Sequence, residues 1–214
     1  MDLLYFLRQR TRFVRYVSDT VVPHLAEIKR KIETGEEPYI DRRYYEDADE
    51  PAFLQEFEDA DLAVDVIGMT CLGMLQSAFL SFLREYVKEV GGPELLGRVS
   101  KMKRGSSLQN FHAFFAKVLG IDWSKSGVDL ALIEQVVLTR NDFQHNAEIF
   151  SGYVFQTSNH AQKYPDTAFR HPSWPELLDA RLTVDRDKLE ASIRAVEGLC
   201  EYLEKLRHPP PRTR

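Results

Sequence analysis

A chain of 214 residues that is 43% hydrophobic and 29% charged can bury one sizeable core. Its formal net charge of -5 argues against a protein that coats nucleic acid through bulk positive charge, so any contact with nucleic acid must be local. Length gives a single domain, residues 1–207, followed by a Pro/Arg-rich tail over 208–214.

From Leu3 to Thr34 the apolar residues Leu3, Phe6, Leu7, Phe13, Val14, Val17 and Val21 recur at helical spacing. Pro23 is expected to kink or restart that helix before Gly35 ends it. Arg8, Arg12 and Arg15 share one flank, whereas Arg10 falls on the face that otherwise reads as buried, where a long side chain must snorkel. Arginines after only a short apolar stretch lack the order of a signal peptide, and a cytoplasmic location is expected. Between Gly35 and Asp61 acidic residues surround Tyr39, Tyr44 and Tyr45, the composition of a solvated connection.

A second helix is predicted from Pro51 to Gly91-Gly92. Its most apolar part, Leu62 to Leu83, is interrupted by Asp65 and Gln76 and reads as a buried core helix, not a membrane span. Gly68 and Gly73 leave room for a neighbouring helix to pack closely. A short helical piece follows Pro93, then the basic turn Lys101-Met102-Lys103-Arg104-Gly105. Ser106 or Ser107 can cap a helix carrying Leu108, Phe111, Phe114, Phe115 and Val118 up to Gly120.

Gly127 to Phe150 reads as a further helix with Asp129 in its first turn. Residues 153–182 lack helical periodicity and contain Pro165, Pro172 and Pro175, which predicts an irregular excursion with a small β-hairpin around Tyr153 to Gln156. Its aromatics, Tyr153, Phe155, Tyr164, Phe169 and Trp174, are expected to pack the excursion onto the bundle. Asp185 caps the last helix, which runs through Leu189, Ile193, Val196, Leu199, Leu203 and Leu206. The fold class is therefore all-α, an antiparallel helical bundle with one long irregular excursion. Cys71 and Cys200 lie inside apolar helical patterns without CxxC spacing, as buried thiols of a reducing compartment do.

On a wheel of about 100° per residue, Ile133, Val136, Arg140, Phe143 and Ala147 form one stripe, with a guanidinium in its middle. His145 stands about 140° from Arg140 on that wheel, beside a polar strip that includes Asn141 and Glu134. A guanidinium can hold a phosphate in two-point contact, and an imidazole moves protons near neutral pH. With the RNA 2′-hydroxyl as nucleophile such a pair needs no metal. One histidine does not readily serve as base and acid in the same step, and a symmetric dimer supplies a second. No Walker loop, nucleophile elbow, dinucleotide fingerprint or repeated Glu-x-x-His unit is present.

The run Arg140-Asn141-Asp142-Phe143-Gln144-His145 resembles the Arg-Asn-x-x-x-His form of the motif of the HEPN superfamily. The resemblance covers these six residues tightly and the helical body from about 51 to 207 loosely, and residues 1–50 have no part in it. It implies a compact helical bundle that dimerises through the motif-bearing helix and cleaves RNA without a cofactor or metal. Arg140 would bind the phosphate, His145 would transfer the proton and Asn141 would position the substrate. Toxin, antiviral and RNA-processing roles, and a cognate regulatory protein, belong to the same expectation. In the subgroup paired with a nucleotidyltransferase a modified Tyr follows two residues after the His, and Ala147 stands here. Arg8, Arg12, Arg15, Lys101, Lys103 and Arg104 are candidates to guide RNA. Two other readings stand beside this one. In the first, Arg140 pairs with Glu134 or Asp142 and His145 merely caps the helix. In the second, the motif marks a noncatalytic nucleotide- or protein-binding module.

Overall fold

The computed structural model describes residues 2–41, 51–102, 105–146, 152–175 and 178–207. Its α-helices are α1 (Leu3–Thr34), α2 (Leu54–Gly91), α3 (Glu94–Ser100), α4 (Ser107–Phe114), α5 (Leu130–Asn146), α6 (Ser158–Lys163) and α7 (Arg186–Arg207). No β-strand occurs among the described residues, so the chain is all-α.

The long α2 is the axis of the molecule, because it is apolar on most of its surface. It buries Met69, Leu72, Leu75, Phe79, Leu83 and Tyr86 along its length. Helix α1 runs antiparallel to it: the Cys71 thiol reaches the Val14 carbonyl at one level, and Lys29 bridges Asp61 at 2.5 Å at the other. Helix α7 packs alongside with the direction of α2, since Tyr86 donates to the Leu203 carbonyl at 3.1 Å and Gly68 abuts Val184. One continuous hydrophobic core joins Leu3, Leu7 and Val14 of α1 to Ile133 and Val136 of α5 and to Ile193, Val196 and Leu203 of α7. At roughly 1.5–3 kcal/mol per buried large aliphatic side chain, this core is what holds α1 to the rest. By length and composition α2 could cross a membrane, and half of its most apolar stretch is buried within the fold.

Several expectations change in detail. Pro23 neither restarts nor ends α1, which continues to a left-handed Gly35 cap. Pro23 and Asp19, whose carbonyl loses its donor, are both exposed, so water can take the place of the missing hydrogen bond. Helix α2 begins at Leu54, three residues after Pro51. Asp129 caps α5 from outside, its carboxylate accepting from the Leu132 amide at 2.9 Å, and the last predicted residues of that helix, 147–150, lie outside the described residues. The tail 208–214 lies outside them too.

The excursion holds no hairpin among its described residues. Its extended pieces pair at long range, with isolated antiparallel bridges Phe155 to Arg181 and Arg170 to Leu182. It also contains the short α6, capped by Thr157, within a stretch that showed no helical period. Arg181 anchors it: the buried guanidinium meets Asp65 at 2.5 Å and Asp61 at 2.9 Å, with the Tyr153 ring 3.7 Å from its carbon. Burial works against the charge of Arg181, and the two carboxylates outweigh it, so its pKa is raised. The predicted aromatic packing is present, with Phe169 fully buried and Trp174 edge-on to both Tyr153 and Phe155.

Both cysteines are free and buried, and burial pushes the Cys71 thiol up to about 11 and Cys200 well above its usual range.

Candidate functional site

Ile133, Val136 and Val137 anchor the first half of α5 in the core. The polar side of the helix is taken by the excursion. Glu134 accepts from Lys163 at 2.5 Å, from the Tyr164 hydroxyl at 2.8 Å and from Gln109 at 3.3 Å. Burial pushes the Glu134 carboxyl upward, but Lys163 and Tyr164 outweigh burial and hold it below its ordinary value. The Tyr164 hydroxyl is pushed up to about 12 by burial and by that carboxylate. One turn pair later, Asp142 accepts from Thr157 at 2.8 Å and meets Nδ1 of the fully buried His160 at 2.6 Å. Glu134 and Asp142 are thus committed elsewhere and neither pairs with Arg140, and Glu85, which borders the same groove, pairs with Lys88 at 2.5 Å.

On the other side the stripe opens. Arg140 and Phe143, half-buried, enter a groove of about 760 Å³ walled by α1 and floored by α2. That volume lies within the roughly 300–1,000 Å³ of small-molecule sites. Gly73 sets the depth of the floor, since a Cβ there would stand 3.8 Å from Cγ of Arg140 and anything longer would meet the arginine stem. The guanidinium Nη1 donates to Oδ1 of Asn141 at 3.3 Å, its one described hydrogen bond. The arrangement leaves most of the five guanidinium N–H groups available to a ligand.

His145 is exposed in the last turn of α5 and borders neither the groove nor the smaller pocket beside Arg140. Within one chain, therefore, Arg140 and Asn141 stand together and His145 stands apart, as the angular separation on the wheel requires.

The candidate RNA guides divide. Arg8 bridges Glu201 at 2.7 Å, and Arg15 holds Glu190 at 2.7 Å and Glu197 at 3.1 Å, so both are engaged across the α1–α7 seam and outside the groove. Arg12 and Lys101 are exposed without an ion pair among the described residues, and Lys103 and Arg104 lie outside those residues. Arg10 is exposed and lines the groove with Arg140. Its unexpected position on the apolar face was the available sign. Arg84, also at the site, was missed. The sign was again in the sequence: neither Arg84 nor Arg140 has an acidic residue three or four positions away, where helical ion pairs form. Among the described residues no group of three His, Cys, Asp or Glu could hold a metal ion.

No protein-family profile, no curated protein and no solved structure matches this chain. Fold and site define an all-α protein whose motif helix presents an unneutralised arginine to a groove.

Proposed function

We propose that the chain is a metal-independent endoribonuclease of the HEPN type, acting in the cytoplasm as a homodimer with RNA as substrate. The observation that carries the reading is Arg140: half-buried at a groove, bonded to Asn141, and free of both nearby carboxylates, which other partners occupy. Holding an arginine this way without a carboxylate favours an anionic ligand, and a phosphodiester matches its two-point donor geometry.

The chemistry is transfer to the neighbouring hydroxyl. The RNA 2′-oxygen bonds to phosphorus, the bond to the 5′-oxygen breaks, one imidazole accepts the 2′-proton and a second delivers a proton to the leaving oxygen. Arg140 neutralises the charge that builds on the phosphoryl oxygens. A single chain brings one His145, exposed and outside the Arg140 groove, so the proposal places the reaction between two copies with their α5 ends facing. Phe6 and Phe13, 55% and 53% exposed on the α1 side of the groove, give such a second copy apolar surface to cover.

Wild type, Arg140→Ala and His145→Ala are incubated with mixed RNA in EDTA. Cleavage by wild type with a loss of about 10²-fold or more in each variant is expected. Equal cleavage by all three overturns the assignment, and an active strict monomer in sedimentation at micromolar concentration overturns the dimer.

A further inference from the structure

Arg140 faces a second concavity. A pocket of about 340 Å³ lies between α2, α5 and the start of α4, bordered by Arg84 and Arg140 and by four serines, Ser77, Ser81, Ser106 and Ser107. Among the described residues no carboxylate borders it. Arg84 is exposed and has no ion pair among the described residues, in a protein where Arg8, Arg15, Arg30, Arg181, Arg186 and Arg194 all have one. Two guanidinium groups left this close to a common space repel each other unless an anion lies between them.

The start of α4 reaches the pocket through Ser106 and Ser107. Ser106 caps that helix, its hydroxyl accepting from the Gln109 amide at 3.2 Å while the Gln109 side chain returns to the Ser106 amide. The positive end of the helix thus faces the same pocket. An independent observation concerns Gln76, which also borders it: the side chain is only 6% exposed, yet its Oε1 has no hydrogen-bond partner among the described residues. A buried acceptor without a donor is costly, and the terminal torsion of glutamine is soft enough to turn that oxygen toward a hydroxyl in the pocket.

We infer that this pocket is a ribose-phosphate subsite, in which Arg84 and Arg140 share a phosphate, the serines of α2 and α4 complete its hydrogen bonds, and Gln76 accepts from the adjacent 2′-hydroxyl. The inference deepens the ribonuclease proposal by giving the substrate strand a second point of attachment and by giving the protein a means to tell ribose from deoxyribose. It concerns binding, so it stands or falls separately from cleavage.

The probes are uridine 3′-monophosphate and its 2′-deoxy counterpart, neither of which has a diester to cut, titrated calorimetrically into the full chain in EDTA. Wild type is expected to bind the ribonucleotide about fivefold more tightly than the deoxynucleotide, the size of one neutral hydrogen bond. Arg84→Gln is expected to weaken both about tenfold, and Gln76→Leu to abolish the difference between them while leaving the deoxynucleotide affinity in place. Arg194→Gln, an exposed change on α7, should alter nothing. Unchanged affinity in Arg84→Gln, or an equal loss in Arg194→Gln, overturns the phosphate position. Equal affinity of wild type for the two nucleotides overturns the role of Gln76 even where Gln76→Leu fails to fold. Binding that obeys these rules in a chain that cuts no RNA refutes the nuclease and keeps the subsite; cleavage that depends on Arg140 with no effect of Arg84 does the reverse.

Discussion

Along the seam between α1 and α7, Arg8 and Arg15 each meet carboxylates at 2.7 Å, Thr11 joins Glu197, and Arg186 reaches back to Asp19 at 3.0 Å. On the side of α2 and α5, Arg10, Arg84 and Arg140 border two concavities, and none has an ion pair among the described residues. The two regions contain the same residue type in opposite circumstances. Where arginines are neutralised by the fold they fasten helices together, and where no acid pairs with them they are left for something that is not part of the chain, even though Glu85, paired with Lys88, borders the groove of Arg10 and Arg140. The excursion enforces the difference, because α6 and its flanks bind Glu134 and Asp142 and so remove the acids nearest to Arg140.

Among paired arginines, the strongest test lies outside that seam, in the buried Arg181. Arg181→Ala leaves Asp65 buried without its cation, and urea unfolding should show a loss of about 3–5 kcal/mol. A loss below about 1 kcal/mol would mean that the excursion is not anchored through this pair.

Gly68 and Gly73 of α2 sharpen the comparison from beneath. A Cβ on Gly68 would stand 2.5 Å from the Val184 carbonyl oxygen, so Gly68→Ala should cost about 1–3 kcal/mol by thermal unfolding. Gly73→Ala meets only Arg140 at ordinary contact distance and should gain about 0.5–1 kcal/mol through helix propensity. Gly73→Leu should remain folded but push Arg140 out of the groove and abolish RNA cleavage. Retained cleavage in Gly73→Leu would show that the groove position of Arg140 is immaterial.

The smallest effect belongs to the half-buried α1–α7 seam. Arg15→Ala should cost about 0.2–1 kcal/mol, less in high salt, with RNA cleavage unchanged. A large drop in cleavage would return Arg15 to the RNA path and erase the distinction between the two sides.

Much of this was legible in the residues. The apolar period of residues 3–34 gave α1, and the stripe through Ile133, Val136, Arg140 and Phe143 identified both the buried half of α5 and the point where it opens. Arg8 and Arg15 share one flank of α1, and Glu190, Glu197 and Glu201 recur at helical spacings of seven and four along the last helix, so the α1–α7 seam is readable once the two helices are known to lie side by side. That neighbourhood is tertiary information, which explains why Arg8 and Arg15 read as free cations. The excursion was hardest to foresee, because its bridges join residues some 12 to 26 positions apart and each extended piece is too short to show a period of two. Gly68 was recognised as a close-packing position, but the segment that approaches it is the extended stretch around Val184, not a helix.

The central claim, a shared site that needs both copies of His145, is tested most directly by a mixed dimer. Wild type and His145→Ala are co-expressed with different affinity tags, the heterodimer is isolated, and its cleavage of mixed RNA is followed in EDTA. The wild-type dimer should cut, and the mixed dimer should be at least about tenfold slower, because one imidazole cannot replace two in a single step. A mixed dimer with half the wild-type rate, or a wild-type dimer that leaves RNA intact, would contradict the account.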